Sequence, residues 1–334
     1  MSGLAVGGQA VIEGVMMRSP RALAVAVRKQ SGEIAVREMV WRKVFPDWKF
    51  LRWPFIRGAV VLIESMANGK RALTFASSQA LGEDEGEDVG GMLGALAALF
   101  AIVLSVGLFI AAPHYSASYV GGLVGAGDVS NPLFHLLAGV FKISIFFGYI
   151  LLLSRLPEMK RIFQYHGAEH KSIYAYESGL PLTVENARKQ VRFHPRCGTA
   201  FIFAVAGIAI LFWSAVFPVI QPIFYVTDIK WLQNFIYVLI KIPMMLPIAG
   251  IAYEFTRFSG QKDCGPILRI LTKPGLWLQR LTTQEPDDSQ LEVALTALRQ
   301  TLFRERSLGV AQQAEDTDEV TVYPTYQAIQ LPVL

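Results

Sequence analysis

The chain has 334 residues and a formal net charge of +4, with 52% hydrophobic and only 17% charged residues. A soluble domain of this length rarely carries so few charges, so the composition argues against a soluble protein and for one inserted in a membrane. The net charge of +4 mostly reflects an excess of Lys and Arg in the segments that are predicted to be cytoplasmic. We therefore expect no nucleic-acid partner from it.

The first segment, residues 1–47, alternates apolar and polar side chains and predicts a small cytoplasmic β element. Within it, GGQAVIEGVMMRSP predicts a single strand flanked by glycines, and ALAVAVRKQSGEIAVREMVW predicts a hairpin that turns at residues 30–32. The start of the chain lacks a basic segment followed by a long apolar core, so no signal peptide is expected.

The second segment, residues 48–90, predicts an amphipathic helix at the membrane interface followed by an acidic linker. The helical part, residues 48–80, begins with a Trp and Arg cluster, and Pro54 suits a helix start. Its apolar run is interrupted by too many charged side chains for an ordinary membrane span, namely Arg57, Glu64, Lys70 and Arg71. The run EDEGED at 83–88 predicts a solvated connection to the first span.

Four apolar stretches are long enough to cross a membrane as helices, and they lie at 92–112, 133–154, 199–222 and 231–253. They form two predicted transmembrane hairpins, residues 91–154 and residues 199–253, which are joined by the loop 155–198. The predicted fold is therefore an α-helical integral membrane protein with four transmembrane helices and a small N-terminal β element.

The segment after the last span, residues 254–305, predicts helices on the cytoplasmic side of the membrane. Residues 264–281 predict a helix lying at the interface, and residues 287–303 predict an amphipathic helix with an acidic start. Residues 306–334 have the composition of a flexible tail.

The placement of Lys and Arg predicts the orientation of the spans. Twelve of these residues lie in 1–91, eight lie in 155–198 and eight follow residue 253. The loop 113–132 has none, and the turn 223–230 has one. Because basic residues accumulate on the cytoplasmic side, both termini and the middle loop are predicted to be cytoplasmic.

The middle loop contains FQYHGAEHKSI, in which two of the five histidines lie one helical turn apart. This spacing puts His166 and His170 on one helix face, at the separation that two ligands of one metal ion need. The string also fits H-x-x-E-H, the inverted pattern of zinc hydrolases, with Glu169 as its acid. Glu169 is predicted either to act as a general base on bound water or to orient an imidazole.

The same loop continues into FHPRCGTAF, which adds His194 and Cys197. A helix from about residue 160 to Gly179 and a short helix at 183–193 would bring these residues back to the histidine pair. Three histidines, or two histidines and Cys197, with an open fourth position form the ligand set of a catalytic zinc. The alternatives are a structural zinc that also uses Cys264, and ordinary hydrogen bonds without a metal.

Lys142 and Lys241 lie about ten residues inside the second and fourth spans, and no Asp or Glu lies within any predicted span. A lysine at this depth is costly and usually faces a cavity or a partner, so the pair predicts an anion-binding cavity between these spans. The alternative is that the side chains extend toward the membrane surface. Glu254, at the end of the fourth span, is a further candidate for the site, although an ion-pair role is the commoner one.

Four longer motifs carry a resemblance to a known family: GGQAVIEGVMMRSP, YHGAEHKSI, HPRCGTAF and PGLWLQRLTTQEPDDSQLEVA. With these, the chain resembles the YqhQ-like family of bacterial membrane proteins as far as about residue 300. The family is described mainly as a domain of unknown function and is commonly labelled a predicted metal-dependent enzyme. The resemblance implies metal roles for His166, His170 and His194 and a location in the bacterial cytoplasmic (inner) membrane.

The residues and the resemblance together predict a zinc-dependent membrane enzyme, a hydrolase acting at the cytoplasmic interface on lipid or membrane-peptide substrates. The alternative is a scaffold or assembly factor without catalysis, which binds lipids or nascent membrane proteins. Membrane lipids are the expected partners in both cases, and other membrane proteins or further copies of the chain are compatible with either.

Overall fold

The computed structural model describes residues 4–45, 48–82, 92–259, 265–310 and 319–329. The strands within them are β1 (Gly7–Val11), β2 (Gly14–Arg18), β3 (Ala22–Arg28), β4 (Ile34–Val40) and β5 (Val320–Tyr323). The helices are α1 (Ile56–Leu81), α2 (Met92–Val106), α3 (Ala112–Leu123), α4 (Pro132–Leu153), α5 (Pro157–Glu177), α6 (Val184–Arg188), α7 (Gly198–Ile220), α8 (Lys230–Ser259), α9 (Pro266–Thr282) and α10 (Asp288–Val310).

The five strands form one antiparallel sheet in the order β1-β2-β3-β4-β5. The hairpin predicted around residues 30–32 is confirmed as β3 and β4, and Gly32 takes a φ of 90° in its turn. The single strand predicted for GGQAVIEGVMMRSP is wrong, because this segment folds into β1 and β2. The chain reverses between Val11 and Gly14, with Glu13 at a φ of 50°.

The sheet is buried on both faces, and alternate residues of its strands face two different helix layers. One face packs against α5 and α10, where Val15 and Met17 meet Leu291 and Leu295. The opposite face packs against α1, where residues of neighbouring strands surround Phe75. The sheet therefore lies at the centre of a unit formed with α1, α5 and α10, which we call the sheet unit. Among the described residues, neither of its two hydrophobic clusters includes a residue of the membrane helices.

The prediction of a flexible tail from residue 306 differs from the structure. Helix α10 continues to Val310, and β5 pairs with β4 in the register Val36↔Thr321. This strand covers the backbone groups that β4 would otherwise leave unpaired, which explains why a segment of tail-like composition is ordered. Residues 311–318 and 330–334 lie outside the described residues.

Helix α1 connects the sheet to the membrane helices. Its second half packs on the sheet, and its first half packs on α8, where Gly58 lies against Gly250 and Tyr253. A side chain at Gly58 would collide with the α8 backbone, so this close approach requires glycine. The interfacial position predicted for this helix stays a prediction, and the acidic run at 83–88 lies outside the described residues.

Within the described residues, four helices are long and apolar enough to cross a membrane, as the sequence predicts: Gly94–Leu123, Pro132–Leu153, Gly198–Phe224 and Lys230–Ser259. The first is longer than the predicted 92–112 because a π-helical turn, Gly107–Ala111, joins α2 to α3. In a regular α-helix the ring of Pro113 would clash with the carbonyl four residues earlier, and the wider turn relieves that clash. The proline therefore does not end the helix.

Helices α5 and α6 determine where the loop 189–197 begins, and this loop carries the predicted ligands His194 and Cys197. Helix α5 ends at Glu177, and Gly179 reverses the chain with a φ of 68°. The predicted helix at 183–193 is shorter in the structure, because α6 ends at Arg188. Residues 189–197 then run as a loop into the first turn of α7.

Candidate functional site

Three of the predicted ligands come together in the structure. The ligand atoms of His166, His170 and Cys197 all lie within 4.8 Å of one another, and His166 Nε2 is 3.2 Å from Cys197 Sγ. Helix α5 presents the two imidazoles one turn apart, with ring centroids separated by 4.5 Å. Cys197 is the residue that caps α7, and its thiol accepts the Thr199 N–H at 3.5 Å. The middle of α5 and the N-terminal cap of α7 thus hold this group of three, which we call the His-His-Cys cluster.

The two imidazoles of the cluster are oriented by backbone carbonyls. His166 Nδ1 lies 2.8 Å from the Thr282 carbonyl oxygen, and His170 Nδ1 lies 2.5 Å from that of Arg192. A carbonyl only accepts, so both Nδ1 atoms carry a proton, and in a neutral imidazole Nε2 is then the atom that can bind a metal. Burial lowers the pKa of His170, which keeps its imidazole neutral at physiological pH. This arrangement is the one that metal-binding histidines adopt.

His194 lies beside the cluster and outside it. Its Nδ1 accepts the Arg196 N–H at 3.3 Å, and its Nε2–H points to Glu177 Oε2 at 3.4 Å. Gln279 of α9 also holds the His194 backbone, with hydrogen bonds of 2.7 and 2.8 Å. Burial lowers the pKa of His194. In this structure His194 fixes the loop before α7 rather than supplying a ligand atom to the group of three.

Glu169 is buried, with 5% of its surface exposed. Burial raises the pKa of its carboxyl, while the neighbouring His166 and His194 and a hydrogen bond from the Gly8 backbone act in the opposite direction. A side chain at Gly8 would overlap with the Glu169 side chain, so β1 approaches α5 closely at this point. The strand therefore fixes the position of an acid with a raised proton affinity next to the cluster.

A cavity of about 700 Å³ contains the cluster and Glu169 in its lining. Its walls come from the sheet unit and from the membrane helices. The sheet and α1 supply one side, and Ile150 and Ile202 of the membrane helices α4 and α7 supply the other. A largely apolar cavity with a few polar groups converging in it is typical of a ligand site. The cavity lies where the sheet unit meets the ends of the spans.

Two arginines that sequence reasoning did not single out also line this cavity, Arg18 and Arg196. Arg18 ends β2, lies over the Trp41 ring at 4.2 Å, and has its pKa lowered by burial. Arg196 forms an ion pair with Glu177. The sequence could have indicated Arg196, because it is the basic residue within the motif HPRCGTAF. Arg18 is brought to the site only by the tertiary fold.

The other predicted site residues lie elsewhere. Lys142 and Lys241 line the same small cavity of about 30 Å³ between the membrane helices. Glu254 forms a two-fold ion pair with Arg57, at 2.6 and 2.5 Å, and so joins α8 to α1 instead of entering the cluster. Cys264 lies outside the described residues.

Comparison with known proteins gives a family and no activity. The family model described as "Protein of unknown function (DUF1385)" matches residues 53–304. A curated protein, "Uncharacterized protein YqhQ" of Bacillus subtilis (strain 168), is similar over 308 residues at 35% identity, which covers 89% of this chain and 92% of that protein. No solved structure matches.

Proposed function

The chain belongs to the DUF1385 family, as its motifs predict, and from its site we propose that it is a zinc-dependent hydrolase acting at a membrane surface. The observation that carries the proposal is the His-His-Cys cluster beside a buried glutamate inside a large cavity. The resemblance to a family labelled as a predicted metal-dependent enzyme agrees with this proposal and adds no substrate.

The donor set fits zinc. Two neutral imidazoles and a thiolate are ligands that Zn²⁺ prefers, and a catalytic zinc usually has three protein ligands with a fourth position open. The cavity beside the cluster leaves space on one side for that position. A bound Zn²⁺ would supply Lewis acidity toward a carbonyl or phosphoryl oxygen and toward water.

The protein's own groups would then divide the remaining work. The Glu169 carboxylate would accept the proton of the attacking water and return it to the leaving group. The carbonyls of Thr282 and Arg192 keep both imidazoles in one orientation. The Arg18 guanidinium can bind an anionic group of the substrate, since it lines the same cavity.

We infer that the substrate is a lipid or a membrane peptide. Apolar residues of α4 and α7 form one wall of the cavity, so an acyl chain or an apolar peptide segment can reach the site from the bilayer. We also propose that both termini face the cytoplasm of a bacterial cell. The described residues contain an even number of candidate spans, and β4 near the N-terminus pairs with β5 near the C-terminus, which supports placing both termini on one side. The excess of Lys and Arg in 1–91, 155–198 and after residue 253 supports the cytoplasm as that side.

Zinc analysis of the full chain tests the proposal. We expect about one zinc per chain in gently purified protein and its loss in the His166→Ala, His170→Ala double variant. His194→Ala is the matched control, because this residue lines the same cavity without belonging to the cluster, and it should keep the metal. Absence of zinc from the wild-type protein would refute the proposal.

Catalysis is tested separately from metal binding. Glu169→Gln keeps the shape of the side chain and removes the base, so we expect zinc to stay bound while cellular function is lost. If this variant holds zinc and functions normally, the metal is structural. The scaffold alternative would then explain the protein better than hydrolysis.

A further inference from the structure

The membrane helices enclose a second polar site that the proposed hydrolysis does not use. Lys241 of α8 is buried, with 8% of its surface exposed, and its Nζ lies 3.0 Å from Nδ1 of His114. Three aromatic rings surround the ammonium group at 5.5–5.7 Å from their centroids, those of Phe134, Trp213 and Phe217. An imidazole acceptor and aromatic faces orient this group, but none of them carries a negative charge.

The charge around Lys241 is not balanced by the spans themselves. Lys142 and His135 line the same cavity of about 30 Å³. The four candidate spans contain one acid, Glu254, and it is paired with Arg57. Two lysines in a nonpolar region without a carboxylate are costly, and such residues usually bind a charged partner. An anionic ligand would supply the negative charge that the spans lack.

A larger cavity of about 390 Å³ adjoins the small one. The two share five lining residues, Ile110, Lys142, Ala206, Ala209 and Met245. The rest of the larger lining is mostly apolar and includes Phe109, Phe146 and Phe203. Its volume lies within the range of about 300–1,000 Å³ of small-molecule sites. The joined cavities fit a ligand with a small anionic head group and a longer apolar tail.

We propose that this site binds a long-chain fatty acid, with its carboxylate between Lys142 and Lys241 and its chain in the 390 Å³ cavity. The head space of about 30 Å³ has room for roughly two water molecules, which suits a planar carboxylate better than a phosphate with its four oxygens. His135 marks the end of the site next to the loop 124–131, since its Nε2 lies 2.9 Å from the Val129 carbonyl oxygen. The fatty-acid chain extends from there toward Tyr149 and Ile202, which line the far end of the larger cavity. This proposal stands independently of the zinc site.

The test is a binding measurement on the full chain in nanodiscs of phosphatidylcholine. Palmitate should bind at one molecule per chain, and the neutral monopalmitoylglycerol should bind far more weakly. The Lys142→Met, Lys241→Met double variant should weaken palmitate binding roughly 30-fold or more, since removing a buried charge partner typically costs that much. Lys230→Met is the matched control, because this lysine lies on the same helix and is exposed, and it should leave binding unchanged.

Two comparisons on the wild-type protein need no variant, so a folding defect in the lysine variants leaves the proposal testable. Equal binding of palmitate and monopalmitoylglycerol would refute a role for the charge. Stronger binding of lysophosphatidic acid than of palmitate would overturn the carboxylate in favour of a phosphate lipid. In a folded double Met variant, unchanged palmitate affinity would remove both lysines from the site.

Discussion

Gly8→Ala tests whether β1 positions Glu169 as the structure indicates. An added Cβ would lie 2.9 Å from Cγ and Cδ of Glu169 and 2.8 Å from the Met16 carbonyl oxygen, whereas ordinary contact begins at 3.4 Å. Each overlap is thus about 0.5 Å, and overpacking of this kind typically costs about 1–3 kcal/mol. We expect Gly8→Ala to lower stability by about that amount and to displace the Glu169 carboxyl.

The preceding glycine provides a matched control. A Cβ at Gly7 meets nothing within 4 Å, so Gly7→Ala should leave stability and function nearly unchanged. Thermal unfolding in detergent measures the first effect, and zinc content measures whether the His-His-Cys cluster survives. In a Glu169→Ala background the cost of Gly8→Ala should fall, because one of the two overlaps disappears. If Gly8→Ala and Gly7→Ala unfold at the same temperature, β1 does not pack on Glu169 and the assignment of its position is refuted.

Three further predictions concern other parts of the chain. A cysteine at Gly122 should react with an impermeant thiol reagent from outside the cell and one at Ser178 should not; the opposite result would reverse the proposed orientation. A chain truncated after residue 318 should aggregate on size-exclusion chromatography because it lacks β5, and an unchanged elution profile would count against the edge-strand role. If Glu169 acts as a base, activity should rise with pH as its carboxyl loses the proton, and this limb should vanish in Glu169→Gln.

Hydropathy was sufficient to predict the membrane helices, because an uncharged apolar run of about 20 residues matches the thickness of the hydrocarbon core and is rare in soluble domains. Spacing alone was also sufficient to put His166 and His170 on one helix face, since the geometry of an α-helix is local. The length of the first membrane helix could not be predicted in this way. A proline usually indicates a helix end, and the π-helical turn before Pro113 becomes visible only in three dimensions.

The partners of the site were harder to predict than its central pair. Glu177 follows His170 and His194 precedes Cys197 by only a few residues, yet only the tertiary fold shows that Glu177 contacts both His194 and Arg196. Arg18 reaches the cavity from a strand more than a hundred residues away. Residues 320–323 carry a short alternating pattern that is too weak to predict a strand without its partner β4.

The sheet has a consequence for how the protein is made. Strands β1–β4 leave the ribosome first, but α10, which covers one face of them together with α5, starts only at Asp288. Translation at about 5–20 residues per second puts roughly 12–50 s between the two events. During that interval the candidate spans are synthesised, and the part of the apolar sheet face that α10 covers is still exposed. Transiently exposed apolar surface of this kind promotes aggregation until the last part of the chain emerges.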